Sequence, residues 1–402
     1  MGVGASKIQP IPPVVTPSPT TLGLKKYPLK KLLDEMEPKK MLFLGAMEGS
    51  ENLILRAVTH GVDANDVDSI TKMTPLHYAA RYGHTHALEV LLKLGAQVNI
   101  PQKYGWRPVH EAAMYGRTEC LDLLLRCGSH VNAKTGKTTK GNTPSHYAVK
   151  YGHLETAQLL VACGAKVNKY NENHEAPLHM AAMRNEPECL NFLLLNGANV
   201  KARTVRDVDA AFIASTLGSV PCLRVLLRHD IDLNATYQGG YTLAHSAVIN
   251  GRMAFLETLI SHGADIEHRT YEIKLTPLHI GSRVGQTKCI KVLLKHGANI
   301  NALSIQNYTP LHHAIKRYQK DAAAILIHEG ADVNAITEEE KCTPLRMCIL
   351  AKDKQTAELL MKNGADPTIE DVNHKTPIRL AYDDEMKKIL TKDYSKKEGQ
   401  NT

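Results

Sequence analysis

Long apolar runs are missing from this chain, and so is any paired-cysteine spacing. No apolar stretch approaches the roughly 18 residues that a membrane-crossing helix needs, and no secretory signal opens the sequence. The 8 cysteines stand singly, without a CxxC pair. That argues for a reduced, intracellular protein and against a disulfide framework. Aromatics are only 5% of the 402 residues, with one tryptophan and four phenylalanines, so a core has to be built from Leu, Ala, Val and Ile. No HExxH, no Cys–His cluster of zinc spacing and no Ser–His–Asp or paired-carboxylate arrangement stands out. Enzyme chemistry is left without residues to carry it, and neither a metal nor a cofactor is expected. The apolar fraction of 43% excludes disorder throughout. The net charge of +8 is spread over a long surface and selects no partner class by itself.

What the chain does contain is one phrase written many times. "TPLHYAARYGHTHALEVLLKLGAQVN" runs from Thr74 to Asn99, and related phrases start at Arg107, Thr143, Ala176, Asp209, Thr242, Thr276, Thr309, Thr343 and Thr376. Successive starts lie 33, 36, 33, 33, 33, 34, 33, 34 and 33 residues apart. Met41 to Asn65 forms a further unit that lacks TPLH. Within a unit, Pro75 suits the first turn of a helix, where its missing N–H costs nothing. Gly83 suits the left-handed residue that closes that helix. A second helix is predicted from Ala87 to Leu94, with Leu91 and Leu92 facing the first, and Gly95 closes it. Each unit is thus two short antiparallel helices and a hairpin-like loop. One unit cannot bury its apolar face alone, but a stack of them can.

A T-P-L-H-x-A phrase at a period of 33 resembles the ankyrin repeat. The resemblance spans Lys39 to Tyr394 and implies an all-α solenoid of about eleven repeats. At about 10 Å between stacked helices, the array is expected to be a gently curved rod of about 100 Å. The expected organisation is a Pro/Lys-rich tether over residues 1–38, the repeat domain over 39–394 and a disordered tail over 395–402. The last unit carries Lys387, Lys388 and Lys392 where others carry buried leucines, as a polar end cap requires. His77, His110, His146, His179, His245, His279 and His312 share the motif slot, where the family uses the imidazole to bond backbone within and between repeats. Cys120, Cys189, Cys222 and Cys289 share a slot in the second helix. Stacked helices hold them beyond the roughly 7 Å Cα limit for a disulfide, so they read as small core residues. "AKTGKTTKGN", Ala133 to Asn142, has a GK pair, but Val131 stands where a phosphate loop needs glycine. It reads as a lengthened basic loop. The unit from Asp209 to Asn234 has lost TPLH, and weaker capping there predicts a softer seam.

The resemblance implies a protein partner lying along the concave face, against the loop tips and the ends of the first helices. By position those ends carry Arg81 and Tyr82, Met114 and Tyr115, Lys150 and Tyr151, Met183 and Arg184, Arg283 and Val284, and Lys316 and Arg317; beside the first three lie Lys103, Tyr104, Trp106 and Lys140 on the loops. Tyr, Trp and Arg dominate interface energetics, so a basic–aromatic strip over the N-terminal third is the candidate partner-binding surface. No nucleic-acid motif accompanies it, no nucleic-acid partner is expected, and a monomer is expected. The opening "MGVGASK" resembles an N-myristoylation acceptor, with Gly2, Ser6 and Lys7 in place. Prolines at positions 10, 12, 13, 17 and 19 follow, the composition of an extended tether. Residues 1–40 hold seven lysines against three acids. One acyl chain anchors marginally, and each lysine near an anionic leaflet adds about 1 kcal/mol.

The sequence therefore reads as a non-enzymatic intracellular adaptor, held reversibly at a membrane by Gly2. A soluble cytoplasmic or nuclear regulator, or a substrate-recognition subunit without lipid, remains the alternative. Beyond Tyr394 stands "SKKEGQNT", so any effector activity is expected from a separate protein. Mass spectrometry of the native N-terminus is expected to find an acylated Gly2. Gly2→Ala is expected to move the chain out of the membrane fraction, and an unchanged distribution would remove the tether.

Overall fold

The computed structural model describes residues 36–392 and Tyr394. Gly2, the proline tract, the lysines before residue 36 and the tail from Ser395 lie outside the described residues. Among the described residues the chain forms eleven antiparallel helix pairs and no strand beyond a single bridge between Tyr237 and Tyr241. No described helix is long and apolar enough to cross a membrane.

The local rules act as the sequence predicts. In the repeat that opens at Thr74, the first helix spans Pro75–Tyr82, with Thr74 extended before it and Gly83 closing it at φ 83°. The second helix spans Thr85–Lys93, two residues earlier than the periodicity suggests. The reason is local: Gly83 and His84 both donate to the Ala79 carbonyl, so the chain turns within two residues and helix resumes at once. Ala87, Leu88 and Leu91 are fully buried, while Leu92 is half-buried. The inward face thus follows an i, i+3 stripe rather than the Leu91–Leu92 pair.

Repeats stack helix on helix, and first helices touch their successors more extensively than second helices do. Small residues allow this. Ala79, Ala80, Ala112, Ala113, Ala181 and Ala182 are all buried in first helices. At Gly281 a Cβ would come within 3.2 Å of the Val248 side chain in the preceding first helix. Tighter contact on one side bends the stack, with the first helices inside the curve. The terminal pair, Pro377–Leu380 and Asp384–Thr391, has the shortest first helix, and Lys387 and Lys388 are exposed.

Two kinds of polar staple join the repeats. The motif histidine accepts at Nδ1 from the backbone N–H that opens its own repeat, as in Thr74 N to His77 at 3.1 Å. Its Nε2–H is therefore free to donate onward, and it reaches the Trp106 carbonyl at 3.2 Å. The same double bond recurs at His110, His146, His179, His245, His279 and His312. The loop asparagines form the second staple. The Asn99 amide donates to the Gly128 carbonyl at 3.0 Å and accepts from the His130 N–H at 3.2 Å, and Asn132 and Asn334 do likewise one repeat along.

The degenerate repeat is not weakly capped. Asp209 accepts from the Phe212 N–H and from the Tyr237 hydroxyl, both at 2.8 Å. Phe212 lies against Tyr237 at 4.4 Å between ring centroids, and the Arg203 guanidinium sits 4.9 Å from the Tyr237 centroid. A carboxylate–phenol pair has replaced threonine and imidazole. At the same junction Asn234 accepts from the Asp265 N–H at 2.8 Å; the junction before it, between the repeats that open at Ala176 and Asp209, has the exposed Lys201 in the asparagine position.

The histidine network makes stability depend on pH. Burial pushes His77, His146, His245, His279 and His312 down to about 4 and His110 to about 3, and it lowers His179 as well. An unfolded chain protonates these rings at 6.5, so between 6.5 and about 4 unfolding takes up protons. Stability is complete above that window and falls as pH drops through it, each imidazole adding a slope of about 1.4 kcal/mol per pH unit. Urea midpoints are expected to fall steadily from pH 7 to pH 5. A flat profile would mean that the rings are already charged in the fold.

Candidate protein-interaction surface

The last turn of each first helix is the part of the inner face that the staples leave unused, and here the repeats differ from one another. Arg81 reaches into the next repeat and makes two bonds to Glu111, at 3.0 and 3.3 Å. Its guanidinium lies 5.5 Å from the Tyr115 ring centroid. The Glu111 side chain is only 1% exposed and accepts also from Gln102 at 3.1 Å. Burial drives its carboxyl upward against the opposing pull of Arg81 and Gln102. Arg81 thus belongs in part to the scaffold.

Two repeats further on the arrangement changes. Lys150 lies 5.2 Å and Arg184 5.8 Å from the same Tyr151 ring centroid. Both cations and the ring are half-buried, and burial, with Arg184 and Lys140 nearby, pulls the Lys150 ammonium below its ordinary range. Tyr82, Tyr115 and Tyr151 each follow the inner-face cation or Met114 in three successive repeats, and all three are half-buried. Met114 is half-buried too, and its carbonyl takes the His153 imidazole at 2.9 Å.

The loop residues divide. Lys103 and Tyr104 are exposed, with the ammonium 5.5 Å from the ring centroid. The Tyr104 carbonyl accepts from the Gly136 N–H at 2.8 Å, which ties this tip to the lengthened loop. That loop is compact: a short helical turn over Lys137–Thr139, Thr135 and Asn142 buried beneath it, and Lys140 exposed at φ 68°. The Lys140 carbonyl in turn accepts from Glu172 N–H at 2.8 Å. Trp106 sits apart from the exposed tips, stacked at 4.4 Å on the buried Tyr147 ring, with its carbonyl held by His77.

Position alone selects Arg184, as the end of the first helix in the repeat that opens at Ala176, but does not select Glu111. The signal for Glu111 was an acid in a slot that holds Tyr78, Tyr147 and Met180 in neighbouring repeats. For Arg184 it was a cation standing where Tyr82, Tyr115 and Tyr151 stand in the repeats before it. The four cysteines of the shared slot are buried free thiols, pushed above their ordinary range by burial. Among the described residues no group of His, Cys, Asp and Glu is placed to hold a metal ion.

The paired helices, the stapled junctions and the finger loops define a repeat scaffold of one class. A family model described as "Ankyrin repeats (3 copies)" matches residues 42–135, 133–204, 178–270, 267–337 and 303–371, and the chain belongs to the ankyrin-repeat family. Among curated proteins it is similar to the B-cell lymphoma 3 protein homolog of Mus musculus, 29% identical over 137 residues that cover 33% of this chain and 31% of that protein. It is similar to NF-kappa-B inhibitor alpha of Homo sapiens, 33% identical over 106 residues, 25% of this chain and 33% of that one. It is also similar to the probable E3 ubiquitin-protein ligase XBOS31 of Oryza sativa subsp. japonica, 35% identical over 99 residues, 24% and 22% of the two chains. The chain spans a third or less of the length of these relatives.

The two inner-face cations separate on mutation. Arg81→Ala strands a buried carboxyl and is expected to cost on the order of 2–3 kcal/mol of stability. Lys150→Ala, which strands nothing, is expected to cost less than about 0.5 kcal/mol. Denaturant midpoints of the two variants check this, and equal losses would contradict the assignment.

Proposed function

We propose that this chain is a non-enzymatic scaffold that binds a partner protein along its inner face, centred on repeats that open at Thr74, Arg107 and Thr143. The observation that carries this is the run of half-buried tyrosines and cations at Arg81, Tyr82, Tyr115, Lys150 and Tyr151. These side chains are partly desolvated and held rigidly by their repeats, the condition in which aromatic and cationic anchors bind well. Lys103, Tyr104 and Lys140 extend the surface onto the loop tips. Trp106 supports it from beneath.

The relatives favour the same reading. Their names include an inhibitor, a B-cell lymphoma protein homolog and a ubiquitin-protein ligase, yet what they share with this chain is a segment of repeats. This supports reading partner binding as a property of the array, and the activities in those names need not follow it. A myristoyl group on Gly2, backed by the neighbouring lysines, would hold the scaffold reversibly at an anionic membrane. The chain is read as intracellular, and the reading without lipid is a soluble regulator or a substrate-recognition subunit acting through the same face.

Cross-linking and affinity purification of the full chain from cells is the direct test. A Tyr82→Ala/Tyr115→Ala/Tyr151→Ala variant is expected to lose the principal partner by at least tenfold while keeping the helical circular dichroism of the parent. An undiminished partner set would move the interface off the inner face.

A further inference from the structure

The inner face is neutralised at one end and not at the other. Arg81 occupies the last-turn position of its first helix, and the following repeat supplies Glu111 to meet it. Lys150 occupies the same position two repeats on, but the residue of the next repeat that corresponds to Glu111 is Met180. Arg184 adds a second cation over the same tyrosine ring, and Lys140 brings a third from the lengthened loop. Among the described residues, no carboxylate lies within ion-pair distance of Lys140, Lys150 or Arg184. Glu175, the nearest buried acid, is engaged by the Asn171 amide at 2.8 Å. Glu175 and Glu186 act on Lys150 and Arg184 from a distance, but neither forms an ion pair with them, whereas the scaffold bonds an acid directly to Arg81.

Resting on the inner-face reading above, we infer that Lys150, Tyr151 and Arg184, with Lys140 at the rim, form an anion clamp for an extended acidic segment of the partner protein. The spacing favours carboxylates on alternate residues. Two cations lying 5.2 and 5.8 Å from one ring centroid are no more than 11.0 Å apart. An extended chain places side chains on one face about every 6.7 Å, so successive same-face carboxylates reach both cations. The half-buried tyrosine ring gives both cations a common anchor. A half-buried cation pair strengthens such contacts relative to fully hydrated lysines. The long loop then has a part in recognition, because it sets Lys140 beside the clamp.

The test uses the full chain and a fluorescein-labelled peptide of five Glu-Ala repeats, with its Gln-Ala twin as control, followed by anisotropy at low and at physiological salt. The Glu peptide is expected to bind at least tenfold more tightly than the Gln peptide, and more weakly as salt rises. A Lys150→Gln/Arg184→Gln variant is expected to abolish the preference. Lys140→Gln is expected to reduce it about two- to threefold, and Lys291→Gln, exposed on the second helix of the repeat that opens at Thr276, to leave it within twofold. Equal binding of the two peptides, or a preference that survives the double variant, would overturn the clamp. So would a phosphoserine peptide bound tenfold more tightly than the Glu peptide, or anionic vesicles captured through the same two residues in its place. The double variant in the cell purification separates this idea from the broader one. A partner set lost with the tyrosine triple variant but kept with the double variant refutes the clamp alone. A set kept by both refutes the inner-face reading.

Discussion

A neutral, buried imidazole that accepts a bond from its own repeat and gives one to the next is the interaction on which this molecule depends. His77 and its six counterparts satisfy the backbone N–H at the start of one first helix and a carbonyl in the following loop, away from water. Burial and the direction of these bonds agree. A ring that accepts at Nδ1 has its one proton on Nε2, and a second proton would set two N–H groups against each other. The repeats have little else to hold them in register, since each is two short helices below the length at which a helix is stable alone. Apolar contact supplies the attraction between neighbours, and the imidazole and asparagine staples decide how they sit.

That division of labour explains where the proposed binding surface lies. Positions used for stapling and core packing are the same in nearly every repeat and cannot distinguish partners. The last turn of the first helix and the loop tip are the positions left over. Variation concentrates there: Arg81 with its own acid, Met114 with none, Lys150 and Arg184 sharing a tyrosine. The repeat opening at Asp209 makes the same point from the other side. It dispenses with the threonine and histidine, yet Asp209, Tyr237 and Phe212 rebuild an equivalent contact from different groups. The requirement is a satisfied, buried polar link between neighbours, and more than one chemistry meets it.

Much of this was legible in the linear chain. The 33-residue period, proline at the start of each first helix and glycine after it foretell helices, turns and stacking, because these are local rules about φ angles, missing donors and apolar spacing. The inner-face strip was legible as a list of positions. Other features came out differently. The stripe of the second helix uses Leu88 and Leu91 rather than Leu91 and Leu92, since the inward face is set by how the neighbouring repeat packs. The seam at Asp209 is capped by its own carboxylate, which takes the Phe212 N–H, and it is tied to the next repeat by Tyr237, 28 residues away.

The sequence by itself determined the repeat, its number and its residue slots, all of which follow from interactions spanning a few residues and repeated in phase. Tertiary structure alone decided which charges are matched. Arg81 meets Glu111 across a repeat junction, Lys150 and Arg184 share a tyrosine ring and form no ion pair among the described residues, and Trp106 turns inward to Tyr147. Ion pairing and ring stacking depend on distances of a few ångströms between side chains some thirty residues apart, and those distances exist only once the helices have stacked.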